Sequence, residues 1–203
     1  MTNDSREPGS FRDPSGFVFT HEGELYRQVT RCFENDYRHF LDSGLYAKVV
    51  ADGLLVEHEE VSLDLALTED AVRVLRPRKI PFVSYPYEWA FSALKDAALL
   101  TLGLQRIALD HGMTLKDASA YNILFEGSRP LFIDTLSFER YRKGAPWDAY
   151  SQFCRHFLTP LLLMSRCDLR LGQMLRVHLD GIPLDLTKSL LRLRTWIRPG
   201  HFI

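Results

Sequence analysis

The 203-residue chain reads as an α+β protein, a small strand-rich N-terminal part leading into a helical C-terminal part. Three features carry that expectation. Two strand–turn–strand patterns lie at 17–29 and 123–133. An amphipathic stripe, Phe33, Tyr37, Phe40, Leu41 and Leu45, follows i, i+4, i+7, i+8 and i+12. A long helical pattern then runs from about Glu88 to Asp110.

In chain order, residues 1–15 are rich in Ser, Asp, Arg and Pro and read as a disordered leader. The hairpin follows at 17–29, with its turn at Gly23, and the amphipathic helix after it. Gly53 is expected to end a second helical piece. Val72-Arg73-Val74-Leu75 is strand-like, and 80–85 is a further apolar run that Pro81 and Pro86 confine to an edge or a strand end. The helix from Glu88 carries Trp89, Phe91, Leu94, Ala98, Leu102, Gln105 and Leu109, and Gly112 stands where a C-cap belongs. A polar loop at 114–121 leads to the second hairpin, whose turn is Glu126-Gly127-Ser128-Arg129-Pro130. From Trp147 the pattern is helical, punctuated by Pro160, Gly181 and Pro183, and Trp147 and Tyr150 are expected in the core.

Composition narrows the function classes. The chain is 46% hydrophobic, 25% charged and 12% aromatic, ordinary for a globular domain with a real core. A net charge of −1 gives no global field toward nucleic acid or membrane, so neither partner is expected. Cys32, Cys154 and Cys167 form no C-x-x-C pair and read as buried free thiols of a reducing compartment. The polar start lacks the apolar core of a signal peptide, and apolar runs such as 158–164 are too short to span a bilayer, which makes a cytoplasmic location the expectation.

The segment with chemical content is Lys116-Asp117-Ala118-Ser119-Ala120-Tyr121-Asn122, followed after one hairpin by Asp134. An Asp, an Asn five positions on, and an Asp ending the second hairpin strand make a set of oxygen donors in fixed register. This register resembles the protein-kinase-like superfamily, which includes aminoglycoside phosphotransferases, over roughly 80–140. The resemblance implies a reduced N-terminal β lobe at 16–87 and a helical C-terminal lobe at 88–203, with a catalytic-loop-like segment at 114–138. It implies ATP and Mg2+ as cofactors and transfer of a phosphoryl group to a small-molecule hydroxyl. Asp117 would be the catalytic base, Asn122 and Asp134 the metal ligands, and Lys116, which stands where protein kinases have Arg, would neutralise the transferred group. A plain structural reading stands beside this one: loop Asp and Asn cap turns, and Asp134 suits the N-cap of a helix starting at Thr135.

Other parts depart from a working kinase. The first hairpin offers only Gly16 and Gly23 for a phosphate-cradling loop, and no V-A-I-K-like lysine follows. Arg27 is the best substitute cation and Lys48 the second, with Glu34, Glu57 and Glu59 as ion-pair candidates. By the kinase resemblance Tyr85 and Tyr87 fall at the adenine-binding hinge; a plain strand-to-helix turn is the other reading. Glu57-His58-Glu59-Glu60 is read as a solvated helical face, and His156 and His178 as satisfied polar groups in apolar helices. From Arg166 onward seven Lys/Arg against three Asp give a local +4, read as a solvated basic face, with docking of a partner or an anionic substrate as the alternative.

A second resemblance runs almost end to end. Asp13-Pro14-Ser15-Gly16-Phe17, Ser43-Gly44-Leu45-Tyr46, Pro81-Phe82-Val83-Ser84-Tyr85-Pro86-Tyr87-Glu88-Trp89, the 115–123 loop and Ile133-Asp134-Thr135-Leu136-Ser137-Phe138-Glu139 resemble the N-terminal region of bacterial class I SAM-dependent methyltransferases of the nodulation-protein type. In that family the methyltransferase domain follows this region. No SAM-binding G-x-G-x-G loop is present, so SAM is expected only with a downstream domain, and the module reads as stand-alone or truncated. Three readings remain open: phosphoryl transfer, a non-catalytic pseudokinase-like module serving a methyltransferase domain, and direct methyl transfer.

Overall fold

The structure is a computed structural model and describes residues 5–7 and 13–191. The N-terminal part is an antiparallel sheet built from β1 (Ser5–Arg6), β2 (Gly16–His21), β3 (Glu24–Thr30), β4 (His58–Val61) and β5 (Ala71–Pro77), in the order β1-β2-β3-β5-β4. The β2–β3 hairpin turns at Glu22 and Gly23, both with positive φ, 51° and 82°, the twist a two-residue hairpin loop demands. Two helices cross from β3 to β4. The predicted stripe divides into α1 (Glu34–Asp42) and α2 (Leu45–Ala51), separated at Gly44. Phe33, Tyr37, Phe40 and Leu45 are buried, as the period required.

The C-terminal part begins with α3 (Phe91–Asp110) and β6 (Met113–Leu115). The 116–122 loop and the hairpin of β7 (Ile123–Glu126) and β8 (Arg129–Phe132) follow. β9 (Phe138–Arg140) then returns to pair with β6. Helices α4 (Tyr150–Phe153), α5 (Thr159–Arg166) and α6 (Leu184–Leu190) complete the described chain, with a π-helical turn at Cys154–Leu158 joining α4 to α5. The architecture is α+β, a small sheet lobe and a helical lobe, as the sequence implied. The largest apolar cluster runs from Phe40 and Leu45 through Leu94, Leu104, Phe132 and Phe138 to Phe157 and Leu163, joining α1 and α2 to the C-terminal part, while the sheet buries Phe17, Phe19, Tyr26 and Val74 in one smaller cluster and Val29 and Leu75 in another. The β8 strand strengthens that joint. Val56 donates its N–H to the Phe132 carbonyl at 2.8 Å, and Phe132 donates to Leu54 at 2.9 Å.

Several expectations are corrected. Ser5–Arg6, placed in the leader, is the edge strand β1, and Asp13–Ser15 are held by contacts to Lys116; positions 1–4 and 8–12 of that leader lie outside the described residues. The 80–85 run forms no strand. Its prolines interrupt pairing, and Phe82, Val83 and Tyr85 are exposed. His58–Val61 is a strand and not a helical face, because β5 beside it offers an open edge. Of the three thiols only Cys154 is buried. Leu102, Leu109 and Tyr150 are exposed. Trp147 packs against Phe153 and donates its indole N–H to the Leu115 carbonyl at 2.7 Å. The 86–88 turn precedes α3, and Glu88 accepts a hydrogen bond from the Tyr85 N–H at 2.7 Å, which starts the helix three residues later than expected.

Candidate functional site

Local chemistry holds the 116–122 loop rigid from both ends. Gln105, buried on α3, accepts the Leu115 N–H at 2.8 Å, and its amide donates to the Thr114 hydroxyl at 3.0 Å. Lys116 donates its backbone N–H to the Ser137 carbonyl at 2.8 Å, extending the β6–β9 pairing by one residue. Gln152 of α4 accepts the Ala118 N–H at 2.7 Å. At the far end the Ile133 N–H reaches the Asn122 carbonyl at 2.9 Å. That bond continues the hairpin register beyond Ile123↔Phe132, so Asn122 and Asp134 sit side by side.

Asp134 is the centre of a dense network. One carboxylate oxygen pairs with the Arg27 guanidinium and accepts the Leu136 N–H at 3.1 Å; the other accepts the Ser137 hydroxyl at 2.6 Å. Asn122 donates its amide N–H to the same Ser137 hydroxyl at 3.4 Å, leaving its amide oxygen for another partner. Both side chains of the Arg27–Asp134 pair are 15% exposed. Arg27 lies on β3, the third strand of the sheet. Its partner is none of the three glutamates considered: Glu34 pairs with Arg38, Glu57 and Glu59 with Arg78 and Arg76. Lys48 pairs with Asp52 on the exposed face of α2.

A cavity of about 580 Å3 lies between the sheet and the β7–β8 hairpin. Val18, Leu25 and Leu75 form its sheet wall, Leu124 and Ile133 its hairpin wall, and Arg27, Asn122 and Asp134 its polar end. Tyr85 also lines it. Tyr87 does not; it stacks on Tyr85 at 5.5 Å and its carbonyl accepts from Gln173 at 2.6 Å. Asp117 and Lys116 lie outside the lining. Asp117 accepts the Ser119 N–H at 2.8 Å, an Asx turn, and Asp134 N-caps the turn at Thr135–Ser137, so the plain structural roles are both present. The Lys116 ammonium is turned to Asp13, at 3.2 Å, and Ser15, at 2.6 Å, over the Phe33 ring.

His58 is the cavity-lining residue the sequence hid. It lines the cavity beside Arg27, where burial and then the Arg27 charge lower its pKa to about 4. The Tyr37 hydroxyl donates to Glu60 at 2.9 Å, so His58 Nε2, 3.0 Å away, carries the proton and donates to Tyr37. Burial pushes the Tyr37 phenol upward. His58 is visible in the sequence only as one residue of an acidic tetrad. The second buried histidine, His156, also falls to about 4, chiefly through burial; its Nδ1 has no partner among the described groups, a departure from the satisfied role expected. His178 is half-buried. Of the basic C-terminal set, Arg170 pairs with Asp168, while Arg192, Arg194 and Arg198 lie outside the described residues.

Asp134 and Asn122 are the oxygen donors at the site that could take a hard cation. A carboxylate offers roughly four lone-pair sites, and Asp134 engages three of them, with the Asn122 amide oxygen beside it. Among the described residues no group of three or more His, Cys, Asp or Glu gathers around a metal position. No described helix is long and apolar enough to cross a membrane.

No family model matches the chain. Among solved structures it is similar to vaccinia related kinase 3, with TM-score 0.41 and 13% identity over 68% of this chain and 47% of that one. It is also similar to a Legionella pneumophila kinase bound to IP6, with TM-score 0.37 and 12% identity over 93% and 95%. Both likenesses are partial. In sequence it is 41% identical over 200 residues to the nodulation protein NoeA of Rhizobium meliloti. The chain is therefore similar over 98% of its length to a rhizobial nodulation protein, of which it spans 42%.

Proposed function

We propose that this chain is a kinase-like module that binds ATP in the cavity between its sheet and its β7–β8 hairpin and transfers a phosphoryl group to a small-molecule hydroxyl. One observation carries the reading. Arg27, Asn122 and Asp134, drawn from three separate segments, meet at the polar end of one largely apolar cavity. Such a cavity has the size and mixed character of a cofactor site. The purine would lie between Leu75 and Leu124 near Tyr85, and its phosphates against Arg27, whose planar fork matches phosphate oxygens. For the transfer step Asn122 and Asp134 would hold Mg2+, which would offset charge on the transferred group. Asp117 would take the proton of the acceptor hydroxyl. Lys116 would steady the transferred group once its contact with Asp13 opens.

The experiment is ATP-dependent transfer to a panel of small hydroxyl compounds, with Asp117→Asn and Asp134→Ala beside the wild type. Full activity in both variants would remove the assignment.

A second reading has its own support: the Lys116 ammonium is occupied by Asp13 and Ser15, and Asp117 lies outside the cavity lining. In that reading the module binds its ligand without catalysis and serves a further domain, such as a methyltransferase, of a longer protein like its relative. Calorimetry with Mg-ATP and with SAM separates the readings. Mg-ATP heat with transfer supports the kinase, Mg-ATP heat without transfer the scaffold, and SAM heat from this chain alone would favour methyl transfer.

A further inference from the structure

We propose that the cavity binds its phosphate-bearing ligand without a divalent cation, with Arg27 as the resident counter-charge. The inference rests on the reading of the cavity as a nucleotide site and goes beyond it.

A polyphosphate entering a pocket of bare carboxylates meets like charge, and a bridging metal removes that repulsion. Here the balance differs. The charged groups on the cavity wall are Arg27, Arg78, Lys79 and Asp134, and His58 is held neutral. Arg78 faces outward to Glu126, at 3.0 Å for one of its two bonds, and to Glu57. Asp134 is thus the one carboxylate of the wall, and its charge is already met by the Arg27 guanidinium. Lys79 remains as a second positive charge at the same wall.

Arg27 also has bonding capacity left. A guanidinium carries five N–H donors. One nitrogen engages Asp134, while the buried Nε has no acceptor among the described groups. A phosphate drawing the guanidinium a short way into the cavity would satisfy donors that the protein leaves unpaired, and Asp134 would keep its bonds to the Leu136 N–H and the Ser137 hydroxyl. Arg27 then does for the phosphates what a metal does elsewhere.

The test is calorimetric titration of the intact chain with ADP and ATP, once with EDTA and once with Mg2+. The expected dissociation constants agree within about threefold. Arg27→Met weakens binding in EDTA by at least about tenfold. Asp134→Asn, which removes the negative charge and keeps the guanidinium, binds in EDTA more tightly than the wild type; equal or weaker binding counts against Arg27 as the counter-charge. Circular dichroism and thermal melts establish that each variant is folded at the titration temperature. Binding with Mg2+ and none in EDTA overturns this inference and leaves the proposed function standing. Absence of binding under both conditions overturns both.

Discussion

Removing either member of the Arg27–Asp134 pair should destabilise the protein far more than the bond count suggests. Both side chains are about 85% withdrawn from solvent, as their 15% exposure shows. Deleting one partner of a buried pair leaves the other charge desolvated and uncompensated, at a cost of about 3–5 kcal/mol. The residual exposure places this pair near the lower end, about 3 kcal/mol. Asp134→Asn preserves shape and can still cap Leu136, so its effect isolates the charge. Arg27→Met preserves most of the packing of the aliphatic stem. The double variant removes both charges, and its loss should be close to that of one single variant. The coupling energy from the cycle is then about 2 kcal/mol or more, within the roughly 4 kcal/mol that Coulomb's law allows for adjacent charges at a partly buried site. Urea unfolding of the four proteins at pH 7.5 measures it. Additive effects, with a double variant about 6 kcal/mol below the wild type, would refute the reasoning, because they would mean that the two side chains act separately.

Acid should weaken the fold before its carboxylates titrate. His58 and His156 have pKa values lowered from 6.5 to about 4, first by burial and then by Arg27 and Arg155 respectively. The unfolded chain therefore binds more protons between those values, and stability falls as pH drops from about 6.5 toward 4, by about 2 kcal/mol per histidine at pH 5. Melting curves from pH 7.5 to 5 check this; His58→Gln should reduce the acid-linked loss by about half, and an unchanged profile would remove His58 as a source. Gly16→Ala should cost about 3 kcal/mol or more, because a Cβ there would run into the Gln28 carbonyl and come within 2.7 Å of Leu136. Denaturant unfolding measures it, and a neutral outcome would show that β2 and the 135–137 turn can separate freely.

The sequence by itself determined the local pieces of this protein. The hairpins, α3 and the register from Asp117 through Asn122 to Asp134 were legible because turn residues and hydrophobic period act over a few positions. Even the capping roles of Asp117 and Asp134 were open to a reader of the loop. The tertiary structure alone decided the rest. Strand β1 has two residues, and β6 and β9 have three each, too short for any period to register. His58 looked solvated because nothing in its neighbours announces that β5, Tyr37 and Tyr46 will enclose it. Arg27 and Asp134 meet because the Val56–Phe132 bonds set the hairpin against the sheet that carries Arg27. Such pairings between distant segments depend on the whole core closing, and no local preference encodes them.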